Sequence, residues 1–194
     1  MTAPLSARVG GRRGSSPRLS QRGYVAPAIL LRVAGSRDMR ALWRIRNEQT
    51  ARYASFNQTY ITLAQHAAWT DRKLAEGRTV MFTVSRPHRG IIGYVRFESV
   101  RGSKDSWKIS LALAPSERGR GLGVLAIQYG CRLLHAMARP RQIVAEVPKD
   151  NWVSFRAFRK ARFQLRGSSV QNGRRHWRLV HIYRGSTRPI EMPN

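Results

Sequence analysis

Only one cysteine, Cys131, occurs in the 194 residues. No intrachain disulfide can form, and a reducing compartment is compatible. Acidic residues are scarce too: 10 Asp and Glu face 36 Lys and Arg, a formal net charge of +26. Long apolar runs are missing. A membrane-spanning helix needs roughly 18 unbroken apolar residues, and the longest apolar region, 122–137, is interrupted by Gln128, Arg132 and His135. No apolar segment follows the polar start, which argues against a secretory signal. What remains is an ordinary apolar content of 42% and a length that suits one domain with a substantial core. A soluble, cytoplasmic protein is expected, with Cys131 as a small packed core residue rather than a nucleophile.

The cations are mostly arginine, and they are not confined to a tail: residues 1–37 carry seven arginines and no acid, and the excess continues beyond them. Such a field attracts polyanions, nucleic acid among them. GC-rich coding and an enzyme whose ligands carry several phosphates are competing explanations. Residues 1–26 are Arg-, Ser- and Gly-rich without apolar periodicity and are expected to be a disordered extension, a transit-like segment or the product of a mis-assigned start. A domain over 27–185 and a flexible tail over 186–194 complete the division.

Periodicity and turn signals predict strands over 27–33, 78–86, 91–100, 108–114, 142–147, 163–169 and 175–184, with Asn172-Gly173 as a hairpin turn. Helices are predicted from Ser36 to about Glu48, from Thr62 to Gly77, from the glycine loop to about Ala138, and over 151–162. Thr62-Leu-Ala-Gln65 reads as a capping box, and Leu63, Ala67, Thr70 and Leu74 as the core row of that helix. The order is β α α β β β α β α β β, a mixed α/β domain.

Arg118-Gly119-Arg120-Gly121-Leu122-Gly123 lies between a strand and a helix. A helix N-terminus offers unpaired N–H groups and partial positive charge to a phosphate. Gly121 and Gly123 suit close backbone approach, and Arg118 and Arg120 add charge. A dinucleotide site would have G-x-G-x-x-G spacing after the first strand of its unit; the spacing here is R-x-x-G-x-G, late in the chain. A plain structural loop is the other reading. Elsewhere, Arg46 extends the apolar stripe of Met39 and Leu42, so it either meets a buried anion or snorkels to solvent. His66 and Trp69 are neighbours on a helix face, able to hold a ring or to pack as a structural pair.

R-x-x-G-x-G after Ile109-Ser-Leu-Ala-Leu-Ala-Pro115 resembles the acetyl-CoA motif of the GNAT superfamily. Asn151-Trp-Val-Ser154, Phe158, Lys160 and Phe163 resemble its second motif, N-x-x-S-x-x-x-[YF]-x-K-x-G-F. Within the superfamily, Trp43-Arg-Ile-Arg-Asn47, Ser55-Phe56-Asn57, His66-x-x-Trp69, Gly93-Tyr-Val-Arg-Phe97 and Ile143-Val-Ala-Glu146-Val147 are similar to enzymes that acetylate nucleotide-linked amino sugars, including the pseudaminic acid pathway type. The resemblance covers about residues 28–165. It implies a GNAT fold of about 6–7 strands and about four helices, an acetyl-CoA-dependent N-acetyltransferase, no metal, and a monomer or homodimer. An acetyltransferase for protein N-termini or lysines, of the ribosomal-protein kind, is the alternative within the same chemistry. A non-catalytic, arginine-rich nucleic-acid-binding protein is the alternative of another class.

On this reading the coenzyme diphosphate sits on the amides of Arg120–Val124, in the loop that starts at Arg118 and Gly119. The pantetheine pairs with the edge of Leu111, Ala112 and Leu113, which also supplies donors to the thioester oxygen. Asn151, Ser154, Phe158 and Lys160 complete the coenzyme site. Glu146, on a short apolar strand where a carboxylate is costly to bury, is the candidate base; a salt bridge to an arginine is the competing role. Arg46, Asn47, His66, Trp69 and Arg96 are the candidate acceptor residues. Three positions depart from the family pattern. Phe158 stands where many members have a proton-donating tyrosine, so no acid is assigned. Arg162 replaces a glycine, and Lys108 stands where sugar-acetylating relatives often have a carboxylate.

Overall fold

The computed structural model describes residues 28–183 apart from 56, 104 and 172. In chain order the elements are β1 (Leu30–Val33), α1 (Met39–Asn47), α2 (Gln49–Tyr53), α3 (Leu63–Ala75), β2 (Thr79–Arg86), β3 (Gly90–Ser99), β4 (Ser106–Leu113), α4 (Leu122–Ala138), β5 (Gln142–Pro148), α5 (Trp152–Lys160), β6 (Gln164–Gln171) and β7 (Arg174–Ile182). The expected 1–26 extension and 186–194 tail, and Asn172 of the hairpin turn, lie outside the described residues. Gly173 of that turn has φ +71°, a conformation glycine adopts without steric cost.

Local chemistry accounts for most boundaries. Thr62 and Gln65 form the expected reciprocal cap of α3, Gln65 N–H to Thr62 Oγ1 at 3.2 Å and Thr62 N–H to Gln65 Oε1 at 2.8 Å. The first predicted helix lies within a residue of its expected bounds. It opens as a 3-10 turn at Ser36–Asp38, where Asp38 accepts two 2.7 Å bonds from Arg32 and one from the Gly35 amide. It then ends at Asn47, because the Glu48 carboxylate caps a new short helix, α2, that the sequence reading missed. Among the described side chains of α3 the buried ones are His66 and Thr70, one turn apart, while Leu63 and Ala67 are only half-buried; Leu74 of the expected core row lies outside the described side chains.

The seven strands form one sheet in the order β1-β2-β3-β4-β5-β7-β6, antiparallel except for β4 against β5. This is the mixed α/β architecture expected from the sequence. Alternation assigns the two faces. Val95, Phe97, Ile109, Ile143, Ala145 and Leu179 join Ala126, Ile127 and Leu134 of α4 and Phe158 of α5 in the main core. Cys131 is part of that core, and burial pushes its thiol well above the usual range. The opposite face carries Met81 and Tyr94 against Met39, Leu42 and Ile45 of α1. Helix α4 comes close to the sheet at Gly130, where a Cβ would stand 3.1 Å from Val95.

Gly93 is the tightest point of the sheet beside the later site. A Cβ there would collide with Leu113 Cδ2 and lie 2.6 Å from the Ala112 carbonyl oxygen. A methyl cannot displace a backbone oxygen that is held in the β3–β4 ladder. Gly93→Ala is therefore expected to destabilise the fold by about 1–3 kcal/mol through overpacking, read as a fall of roughly 2–4 °C per kcal/mol in thermal unfolding.

Candidate active site

Strands β4 and β5 pair in parallel only from Ser106/Gln142 to Ile109/Ala145 and then part. Because Ala114 N–H donates to the Ile92 carbonyl at 2.8 Å, alternation turns the bonds of Ala112 toward β3 and those of Leu111 and Leu113 away from it. Leu111 and Leu113 thus present backbone toward the gap, while Ala112, grouped with them on sequence, spends its backbone on Tyr94. The Leu113 carbonyl is already taken by Arg118 Nε at 2.9 Å.

At the end of that gap the chain passes through the Pro115–Glu117 turn into α4. Gly119 and Gly121 have φ of +75° and +76°; Gly121 is the N-cap, and no side chain caps the helix. The first helical bonds come from the Val124 and Leu125 amides to the Gly121 carbonyl. The Arg118 amide is spent on the Pro115 carbonyl at 3.2 Å, and the amides between it and Val124 are available to an anion, in the partial positive field of a 17-residue helix. The glycines with left-handed backbone are Gly121, as expected, and Gly119 in place of Gly123. Gly123 is helical, and a Cβ there would meet Leu113 and Leu111 at ordinary distances of 3.8 and 3.9 Å. Gly121→Ala is expected to cost about 1–2 kcal/mol of stability through its left-handed backbone. Gly123→Ala is expected to be neutral or slightly stabilising in the same thermal-unfolding measurement.

Arg118 does not add free charge to this loop. Besides the Leu113 carbonyl it binds Glu48 Oε2 at 2.8 Å and the Thr50 hydroxyl. Burial opposes charge on Glu48. Bonds from the Thr50 hydroxyl and amide, Arg118 and the Ala51 amide outweigh it and hold that carboxyl down at about 2. Arg120 is exposed, and Glu117 is buried against Arg86 at 2.9 Å. In the second motif Asn151 Oδ1 is spent capping α5 through the Ser154 amide at 3.0 Å. Phe158 is a core side chain packed edge-on against Phe163. Lys160 is exposed at the end of α5, and Arg162, at the family's glycine position, has φ +70°.

Glu146 is the first residue of β5 beyond the paired stretch, at the root of the gap, on the face that carries Val144 and Arg96. Its side chain is 10% exposed and lies 2.6 Å from Lys108 Nζ of β4. The partner foreseen for it was an arginine; the one observed is this lysine.

Four of the five acceptor candidates come together on the same face. His66 is buried, stacked at 6.4 Å on Trp69, and Arg96 lies over the Trp69 ring at 4.8 Å. Arg46 adjoins Arg96 and Tyr94 and donates to the Asn57 carbonyl at 2.6 Å. Asn47 is the exception: it clamps Ile61 through both its amide and carbonyl groups, fixing the loop before α3. Sequence reasoning missed α2 and its fastenings. Its start is tied to Arg118, and its last carbonyl, of Tyr53, accepts from Arg174 at 2.8 Å, so the helix spans from the end of β4 to the start of β7. The Glu48-x-Thr50 capping pattern was the available signal for it.

Comparison with known proteins gives the family and the fold. A family model described as an acetyltransferase (GNAT) domain matches residues 28–164. L-methionine sulfoximine/L-methionine sulfone acetyltransferases of Pseudomonas aeruginosa and Pseudomonas paraeruginosa are each 27% identical over 159 residues, spanning 78% of this chain and 90% of theirs. Among solved structures, spermidine N-acetyltransferase from Vibrio cholerae, with CoA and spermine, superposes with a TM-score of 0.73 at 16% identity over 80% of this chain and 95% of that one. The enzyme AAC(6')-Ib, with ribostamycin and coenzyme A, gives 0.71 at 18% identity over 80% and 94%. The two solved structures share the fold, and the family model spans most of the described residues. The chain therefore belongs to the GNAT acetyltransferase family and is an acyltransferase with acetyl-CoA as its co-substrate.

Proposed function

We propose that this enzyme transfers acetyl directly to the primary amine of a small molecule that reaches the β4–β5 gap from the α1/α3 face. The observation that carries this reading is the parting of β4 and β5 beyond Ile109 and Ala145, with a carboxylate at its root and an uncapped helix N-terminus at its mouth. The loop amides ahead of Val124 would receive the coenzyme diphosphate, and the backbone of Leu111 and Leu113 its amide chain. An acceptor amine arrives as an ammonium and must lose a proton before attack. Glu146, directly or through water, takes that proton. The nitrogen then bonds to the thioester carbonyl carbon, the C–S bond breaks, and the thiolate leaves. Phe158 cannot donate a proton, and no residue is assigned to protonating the thiolate.

Two acceptor classes are favoured by specific observations. The resemblance of the acceptor-side pieces supports a nucleotide-linked amino sugar. The 27% identity to methionine sulfoximine acetyltransferases supports an amino-acid-like amine. The non-catalytic nucleic-acid-binding alternative does not survive family membership. Thermal-shift titration with acetyl-CoA, followed by thiol release with UDP-amino sugars, methionine sulfone, spermidine and N-terminal peptides, tests the reading. Stabilisation by acetyl-CoA and turnover of one of the first two acceptors is the expected result. No uptake of acetyl-CoA would sink it, and turnover of peptides alone would transfer the assignment to a protein acetyltransferase.

A further inference from the structure

The cluster on the α1/α3 face contains donors that the fold leaves without acceptors. His66 is 5% exposed, and its Nδ1 is buried with no hydrogen-bond partner among the described residues. One Arg46 nitrogen serves the Asn57 carbonyl; the other, Nη1, is buried and unpartnered. Arg96 Nε lies 3.1 Å from Glu98 Oε1, an ion pair without an aligned hydrogen bond. Three nitrogen-bearing groups from three elements thus gather here, and only Arg96 is paired with a carboxylate, itself partly exposed. Buried polar atoms are nearly always satisfied, and two orphans in one cluster point to a missing partner. Arg46 Nη1 can only donate, so its missing partner accepts hydrogen bonds, and two neighbouring guanidinium groups favour one that carries negative charge.

We infer that Arg46, His66 and Arg96 form an anion site, which takes a carboxylate or phosphate group carried by the acceptor molecule. This rests on the reading above that the acceptor enters from this face. Trp69 touches both groups, stacking with His66 and lying under the Arg96 guanidinium. An arginine fork receives either anion, so the shared chemistry is an oxyanion with two or more acceptor atoms. A polycationic acceptor meets repulsion from Arg46 and Arg96 instead.

His66 gives the site a pH signature. Burial, then the charges of Arg46 and Arg96, hold its imidazole below the ordinary value. Around those two arginines, Tyr94 adjoins Arg46, and Glu98 on β3 pairs with Arg96. In the free enzyme near neutrality His66 is therefore uncharged. An anion between it and the arginines favours the imidazolium, so binding takes up a proton. Affinity is highest at low pH and falls as pH rises through the His66 value of the bound state.

Calorimetry in two buffers of different ionisation enthalpy tests this, using probes without an amine so that ligand titration does not intrude. UDP-N-acetylglucosamine supplies a diphosphate, N-acetyl-L-methionine sulfone a carboxylate, and spermine is the cationic control. One of the two anions should bind the wild type with proton uptake, and the one that binds names the source. His66→Asn should abolish the uptake. Arg96→Gln, at a half-exposed position that leaves the fold intact, should weaken binding by about 10- to 100-fold, as for a charged hydrogen bond. Binding of spermine alone, binding of neither anion, or anion binding that both variants leave unchanged would overturn the inference. Acetyl transfer to a polyamine with no anion binding defeats this inference and leaves the transferase reading standing. Anion binding without acetyl transfer to any amine has the opposite meaning.

Discussion

Replacing Glu146 by glutamine is expected to lower kcat by about 10²- to 10⁴-fold, the usual contribution of a positioned base, with little change in the dissociation constant for acetyl-CoA. The amide keeps the volume and the hydrogen-bonding reach of the carboxylate but cannot accept a proton from an ammonium. The fold should tolerate the change, because Lys108 Nζ, 2.6 Å away, is itself 45% exposed and can turn to solvent. An exposed or half-exposed pair contributes roughly 0–1 kcal/mol. Lys108→Met separates the two roles of the carboxylate. If Glu146 is mainly a salt-bridge partner, both variants should spare kcat, and Lys108→Met, which leaves the 10%-exposed carboxylate unpaired, should lower thermal unfolding more than Glu146→Gln. If it is the base, only Glu146→Gln should collapse kcat, and raising the pH should restore part of the rate as more of the amine becomes neutral in solution. Full activity of Glu146→Gln over the pH range would remove it from the chemistry.

The contrast between what could and could not be foreseen follows the range of the interactions. The α3 cap lies within four residues, the strand–loop–helix junction at 118–123 within six, and both were legible. So were the strand placed after α4 and the neighbourhood of His66 and Trp69, although the parallel pairing of that strand with β4 was not. The partner of Arg118 was not legible. It is Glu48, seventy residues away, brought in by a five-residue helix whose existence depends on that same carboxylate. Sequence pattern reads Arg118 as a phosphate ligand because it precedes the glycines; tertiary packing instead uses it to tie the end of β4 to α2. The same holds for Asn151 and Asn47. Each has the right type for binding a ligand, and each is occupied by backbone of its own chain. Arg162 shows the reverse: its left-handed backbone explains why the family pattern has a glycine there, although the residue itself departs from it.

Arg86→Met is expected to be the most damaging single change for stability, at about 3 kcal/mol, the lower end of the range for breaking a buried ion pair. Glu117 is 2% exposed and sits in the turn that leads from β4 into the glycine loop. Arg86 Nη1 at 2.9 Å is its close partner, and Arg89, at 3.9 Å and 61% exposed, offers only a distant second. Removing Arg86 leaves a carboxylate buried with inadequate compensation. The chain must then either expel Glu117 toward solvent or lose the turn. Either response moves Gly119 and Gly121, so affinity for acetyl-CoA should fall together with stability. Glu117→Gln leaves no buried charge, and its amide can still pair with Arg86, so it should cost markedly less. Because the cost arises from an uncompensated partner, the Arg86→Met/Glu117→Gln double variant should be more stable than the sum of the two single changes predicts. Additive losses in denaturant unfolding would show that the pair is not coupled, and that the loop is held by packing alone.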